Sequence, residues 1–67
     1  MKIILNNRNE TIDKEPVSVK ELLEIKNFTF KMLVIKINGK LIKKDQYENS
    51  LIHDGDNVIV MHLVSGG

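Results

Sequence analysis

Few residues in this sequence could do chemistry of their own. Cysteine is absent, which removes thiolate nucleophiles and disulfide staples. The two histidines, His53 and His62, stand on either side of a turn, and a metal site would need further ligands close to both. They read as ordinary surface or strand-end residues, and no metal is expected. Asp54 and Asp56 could pass for an acid–base pair, but flanking Gly55 they read as turn formers. Lys36, Lys40, Lys43 and Lys44 crowd one hairpin, where they could steer an acidic partner or keep a solvated edge from pairing with another strand. What remains is Ser65-Gly66-Gly67. Glycine has no Cβ and loses the most backbone freedom when fixed, so this stretch is expected to stay flexible and to thread a channel too narrow for bulkier residues. The group it would deliver is the α-carboxylate of Gly67. A carboxylate is a poor electrophile until it is activated, and this chain offers no group of its own to activate it. On this reading Gly67 carries the reacting carbonyl, Gly66 gives clearance, and Ser65 is the last small residue after a bulky run. The bland alternative is a frayed end or a cloning remnant. No extension is visible beyond Gly67, so no proteolytic maturation is expected, and a longer precursor stays open as the alternative.

The elements that would position this tail follow from periodicity and turn chemistry. Residues 57–64, N-V-I-V-M-H-L-V, are a β-branched apolar run of the kind that sits in the middle of a sheet. Residues 1–5 predict a first strand, Asn6-Asn7-Arg8-Asn9 a turn, and residues 10–13 a returning strand that Pro16 closes, having no N–H to donate. Ser18 and Glu21 have the spacing of a capping box, and Val19, Leu22, Leu23 and Lys26 follow at helical spacing. A helix over 19–26, ending near Asn27, is expected. Phe28, Phe30 and Met32 alternate with Thr29 and Lys31, which fits a fraying helix end, a loop plugging the core, or a strand entry. Residues 33–37 predict a strand, Asn38-Gly39 a type I′ turn, and residues 40–43 the returning strand. Asp45-Gln46-Tyr47 suggests a turn or one helical twist, with Tyr47 plugging the core and its hydroxyl exposed. Ile52 is a lone apolar plug before the tight Asp54-Gly55-Asp56 turn. The order is ββαββ with a short helical turn before the last β. This is an α+β domain with one helix over a mixed sheet, the first and last strands forming a parallel central pair.

Composition narrows the function classes. The 67 residues make a single domain, 1–67, with the flexible tail at 65–67, and a chain this short buries only about 60% of its unfolded surface. Ten basic and nine acidic residues give a net charge of +1, and only two Phe and one Tyr are present, which argues against nucleic-acid binding. The apolar run after Met1 is too short for a signal peptide or a membrane span. No membrane association is expected, and the lack of cysteine fits a cytoplasmic location. With no catalytic cluster, the chain is not expected to be an enzyme.

V-K-E-L-L at 19–23, I-N-G-K at 37–40, D-G-D-N-V at 54–58 and S-G-G at 65–67 together resemble the ThiS/MoaD family of sulfur carriers, relatives of ubiquitin. Each stretch is weak alone, but their order and spacing are specific and span nearly the whole chain. Met61-His62-Leu63-Val64 before the glycines, with no proline, favours the ThiS side over the MoaD side. The resemblance implies a ubiquitin-like β-grasp fold, one helix packed on a mixed four- to five-stranded sheet. It implies a protein that binds no cofactor and serves as substrate and sulfur donor for partner enzymes. A ThiF-like adenylyltransferase would use ATP to adenylate the Gly67 carboxylate. A sulfur-donating desulfurase system would supply the sulfur of a thiocarboxylate, and a ThiG-like thiazole synthase would take that sulfur for the thiazole of thiamine. Other outcomes remain open: a MoaD-like carrier for molybdopterin synthesis, a ubiquitin-like modifier joined to lysine through an isopeptide bond, or an interaction domain with an inert tail.

Strand alternation divides the apolar residues into two faces. Ile3, Leu5, Ile35, Ile37, Val58 and Val60 are expected in the core with Leu22, Leu23, Ile42 and Ile52, and Val64 shares the alternation of Val58 and Val60. Ile4, Ile59, Met61 and Leu63 are left on the open face, where an apolar patch marks a partner site, a homodimer contact or ordinary surface scatter. Met suits a surface that meets several partners.

Overall fold

β-Branched residues at 57–62 build the strand around which the sheet assembles. The computed structural model describes residues 1–29 and 32–63. In chain order these form β1 (Lys2–Leu5), β2 (Arg8–Thr11), β3 (Val17–Ser18), α1 (Val19–Ile25), β4 (Leu33–Ile37), β5 (Lys40–Ile42), a 3-10 turn (Lys44–Gln46), β6 (Leu51–Ile52) and β7 (Asn57–His62). The main sheet has five strands in the order β2-β1-β7-β4-β5, and β3 pairs with β6 in a second, two-stranded sheet. As expected, β1 and β7 are parallel, with Ile4 opposite Asn57 and Leu5 opposite Val58. The other pairings are antiparallel, and the longest runs from Leu33 opposite His62 to Ile37 opposite Val58.

Both tight hairpins of the main sheet use residues that tolerate positive φ. Asn38 and Gly39 lie at 51° and 84°, the sign pattern of a type I′ turn. Asn6 and Asn7, at 51° and 66°, do the same between β1 and β2. The first turn is therefore shorter than predicted. Arg8 and Asn9 already pair with Leu5 and Ile4, and the returning strand ends at Thr11 rather than 13. A polar sequence is tolerated there because β2 is a solvated edge.

Ser18 caps α1 as its spacing predicts. Its hydroxyl accepts from the Glu21 N–H at 3.0 Å, and the Glu21 carboxylate accepts from the Ser18 N–H at 3.1 Å. The helix closes with Asn27 at φ 57°, while the N–H groups of Asn27 and Phe28 reach back to the carbonyls of Glu24 and Leu23 at 3.1 and 2.8 Å. This is a Schellman closure, and its apolar pair, Phe28 and Leu23, packs against the core. Phe28 thus belongs to a loop that plugs the core, one of the three arrangements open to it. Phe30 and Lys31 lie outside the described residues.

Ile3, Leu5, Leu22, Ile35, Ile42, Ile52, Val58 and Val60 are buried as expected. Ile37 and Leu23, placed in the core by alternation, are only partly buried at its margin, as is Tyr47. Ile37 stands at the turn end of β4, where fewer neighbours cover it. Three core residues had not been predicted: Ile12, Val17 and Val19. Val17 pairs with Ile52 in the small sheet, and both are fully buried, so Ile52 is a strand residue rather than a lone plug. Pro16 does not simply end a strand; the chain resumes pairing directly after it.

Candidate functional site

The tail depends on β7, and β7 is held most firmly at its start. Gly55, at φ 88°, lets the preceding turn fold tightly, and its N–H donates to the Lys2 carbonyl at 2.7 Å. The Asp54 carboxylate accepts the Lys2 N–H at 2.6 Å, and that of Asp56 accepts the His53 N–H at 2.9 Å and the Asn38 amide at 3.1 Å. Asn38 in turn accepts the Asn57 N–H at 2.9 Å through its side chain and donates its own N–H to the Asn57 carbonyl at 2.7 Å. Both aspartates therefore serve as turn builders.

One further tie escaped the sequence reading. The Asn6 side chain accepts the Val60 N–H at 2.8 Å and donates to the Val60 carbonyl at 3.1 Å, while its backbone N–H donates to the Val58 carbonyl at 2.9 Å. Its amide acts as one more residue of the β1 ladder, extending the parallel pairing beyond the end of β1. At its far end β7 runs to His62, and the Leu63 N–H donates to the Met32 carbonyl at 2.9 Å. Val64 and the tail residues Ser65, Gly66 and Gly67 lie outside the described residues.

The open face carries the four residues assigned to it. Ile4, Met61 and Leu63 are 39%, 47% and 44% exposed, and Ile59 is partly buried. The register sets Met61 beside Val34 and Ile59 beside Lys36, which also faces Leu41. Lys2, Asn9, Thr11 and Asn57 complete this face of the described strands, which carries no carboxylate. His53 and His62 are exposed, and no metal-binding group of three or more His, Cys, Asp or Glu gathers among the described residues.

This geometry, a central last strand pinned at its base and followed in sequence by Ser-Gly-Gly, matches a known family. The model of the ThiS family aligns with residues 2–67. The chain belongs to the ThiS family. The crystal structure of a thiamine biosynthesis protein (ThiS) from Geobacter metallireducens is similar over 100% of both chains, with a TM-score of 0.89 and 25% identity. An NMR solution structure of a thiamine biosynthesis protein from the same organism covers 100% of this chain and 88% of that one, with a TM-score of 0.81 and 25% identity. The fold is the ubiquitin-like β-grasp, and the protein is a ThiS-like sulfur carrier.

Electrostatics divide this ThiS-family chain into two sides. Around α1, Lys14 pairs with Glu21, Lys26 with Glu10 at 2.8 Å and Lys20 with Glu48 at 3.2 Å. The Lys14 ammonium, with help from the Ser18 N–H, holds the Glu21 carboxyl below its usual range. Away from these ion pairs, a groove of about 500 Å³ lies between the end of α1 and the β4–β5 hairpin. Partial burial there pushes the Tyr47 phenol up. This groove was not foreseen, because its walls come from segments scattered between Leu23 and Leu63. No described helix is long and apolar enough to cross a membrane.

Proposed function

We propose that this ThiS-family protein carries sulfur for thiamine biosynthesis on the carboxylate of Gly67. An adenylating partner exchanges ATP for pyrophosphate, joining AMP to the Gly67 carboxylate through a mixed anhydride. A sulfur nucleophile from a desulfurase system then attacks the activated carbonyl and AMP leaves, which yields the thiocarboxylate. A thiazole synthase takes the sulfur. The carrier contributes no acid or base: Gly66 and Ser65 give slim passage through the partner's channel, and Ile4, Ile59, Met61 and Leu63 form the apolar face on which partners rest. The observation that carries the reading is the family match across residues 2–67, which includes the Ser-Gly-Gly stretch itself.

Intact-mass analysis after incubation with ATP, an adenylating enzyme of the ThiS pathway and a sulfur source tests it. The expected result is a mass gain equal to exchange of one oxygen for sulfur, mapped to Gly67. No gain, while a control carrier is converted by the same enzyme, would overturn it.

A further inference from the structure

Two clusters of lysines among the described residues differ in their partners. Lys14, Lys20 and Lys26, on or beside α1, each meet a carboxylate. Among the described residues Lys36, Lys40, Lys43 and Lys44 form no ion pair, and no acidic residue stands between 36 and 44, Asp45 following directly. A run of unanswered cations raises the local positive potential and favours approach of an anionic surface. Lys43 and Lys44 stand on the wall of the groove beside the β4–β5 hairpin.

Apart from Thr29 and Tyr47, the rest of the lining is apolar. Leu23 and Phe28 form its inner wall, and Met32, Leu41 and Leu63 its outer one. Met32 and Leu41 are each 52% exposed, so hydrocarbon that could be buried stays in water. A cavity of about 500 Å³ has room for an inserted apolar side chain and its neighbours. Leu63 ties the groove to the chemistry. It is a wall residue, its N–H is fixed by the Met32 carbonyl, and residues 64–67 follow it directly in sequence.

We propose that this groove is a docking slot for the adenylating partner, taking from it an apolar side chain flanked by carboxylates that answer Lys43 and Lys44. The assignment rests on the carrier reading above. It adds a contact distinct from Ile4, Ile59 and Met61, none of which lines the groove. The lysines speed encounter and set orientation, and the slot holds the complex once water is expelled.

Steady-state adenylation kinetics with the full chain, followed by pyrophosphate release, test the proposal with two variants, K43E/K44E and M32E. All of these positions are exposed, and thermal melts by circular dichroism verify that each variant folds. K43E/K44E is expected to raise KM about tenfold at preserved kcat, with the defect shrinking at high ionic strength as the charges are screened. M32E is expected to raise KM by a similar factor that persists at high salt. If wild type is adenylated and KM is unchanged in both variants, the groove assignment falls and the carrier reading stands. If wild type is not adenylated by an enzyme that adenylates a control carrier, the carrier reading falls and takes the groove with it.

Discussion

The two ends of β7 do opposite work with the same backbone. From the preceding turn to its fourth residue, side-chain amides and carboxylates close over the main chain: Asn38, Asp56 and Asn6 together engage His53, Asn57 and Val60. At its finish, the N–H of Leu63 rests on Met32, and Met61 and Leu63 present hydrocarbon to solvent. The polar ties fix register, and register decides which side chains reach the core, because a slip of one residue would exchange Val58 and Val60 for Ile59 and Met61. A strand pinned at one end can offer sticky surface at the other without rearranging.

Substitutions along β7 and its ties can break or sharpen this contrast. The largest effect is expected at the pinned end. Val58 is fully buried in the core, and Val58→Ala is expected to cost about 2 to 3 kcal/mol in urea unfolding. Asn6→Gly keeps a residue at ease with positive φ and removes only the two side-chain bonds to Val60, so a loss of about 1 to 2 kcal/mol is expected in the same assay. No loss there would mean that the amide clasp is incidental and that the ends differ less than their geometry suggests. At the far end, where β7 pairs only with β4, Met61→Glu is expected to change stability by less than about 0.5 kcal/mol, since the side chain is half-exposed. The same variant is expected to weaken binding to the adenylating enzyme, measured by calorimetry. Unchanged binding would remove the open face from the partner surface.

Much of this was legible because the signals are local. Alternation in β1, β4 and β7 separated core from open face, Asn38-Gly39 gave its hairpin, and Ser18 with Glu21 gave the helix start. The failures share a cause. β3 and β6 have two residues each, too few to show a period, so Val17 and Ile52 betrayed nothing of their pairing. Arg8 and Asn9 looked like turn because an edge strand needs no apolar code. Asn6 read correctly as a turn residue, yet its bonds to Val60 join positions far apart in sequence, and no local pattern announces them. The groove is non-local in the same way. Lys43 and Lys44 were noticed as charges, but only the folded chain sets them beside Phe28 and Leu63.

The parallel pairing of β1 with β7 has a consequence during synthesis. The first strand made must wait for the last one before it gains its inner neighbour, and β4 waits for the same strand. A chain that stops before residue 57 lacks the strand that fills the middle of the sheet, which leaves the inner edges of β1 and β4 without a partner. Loop closure over most of the chain slows the final step relative to local hairpin formation. The sheet can therefore close only once β7 has been added, because β1 and β4 both take it as their inner neighbour.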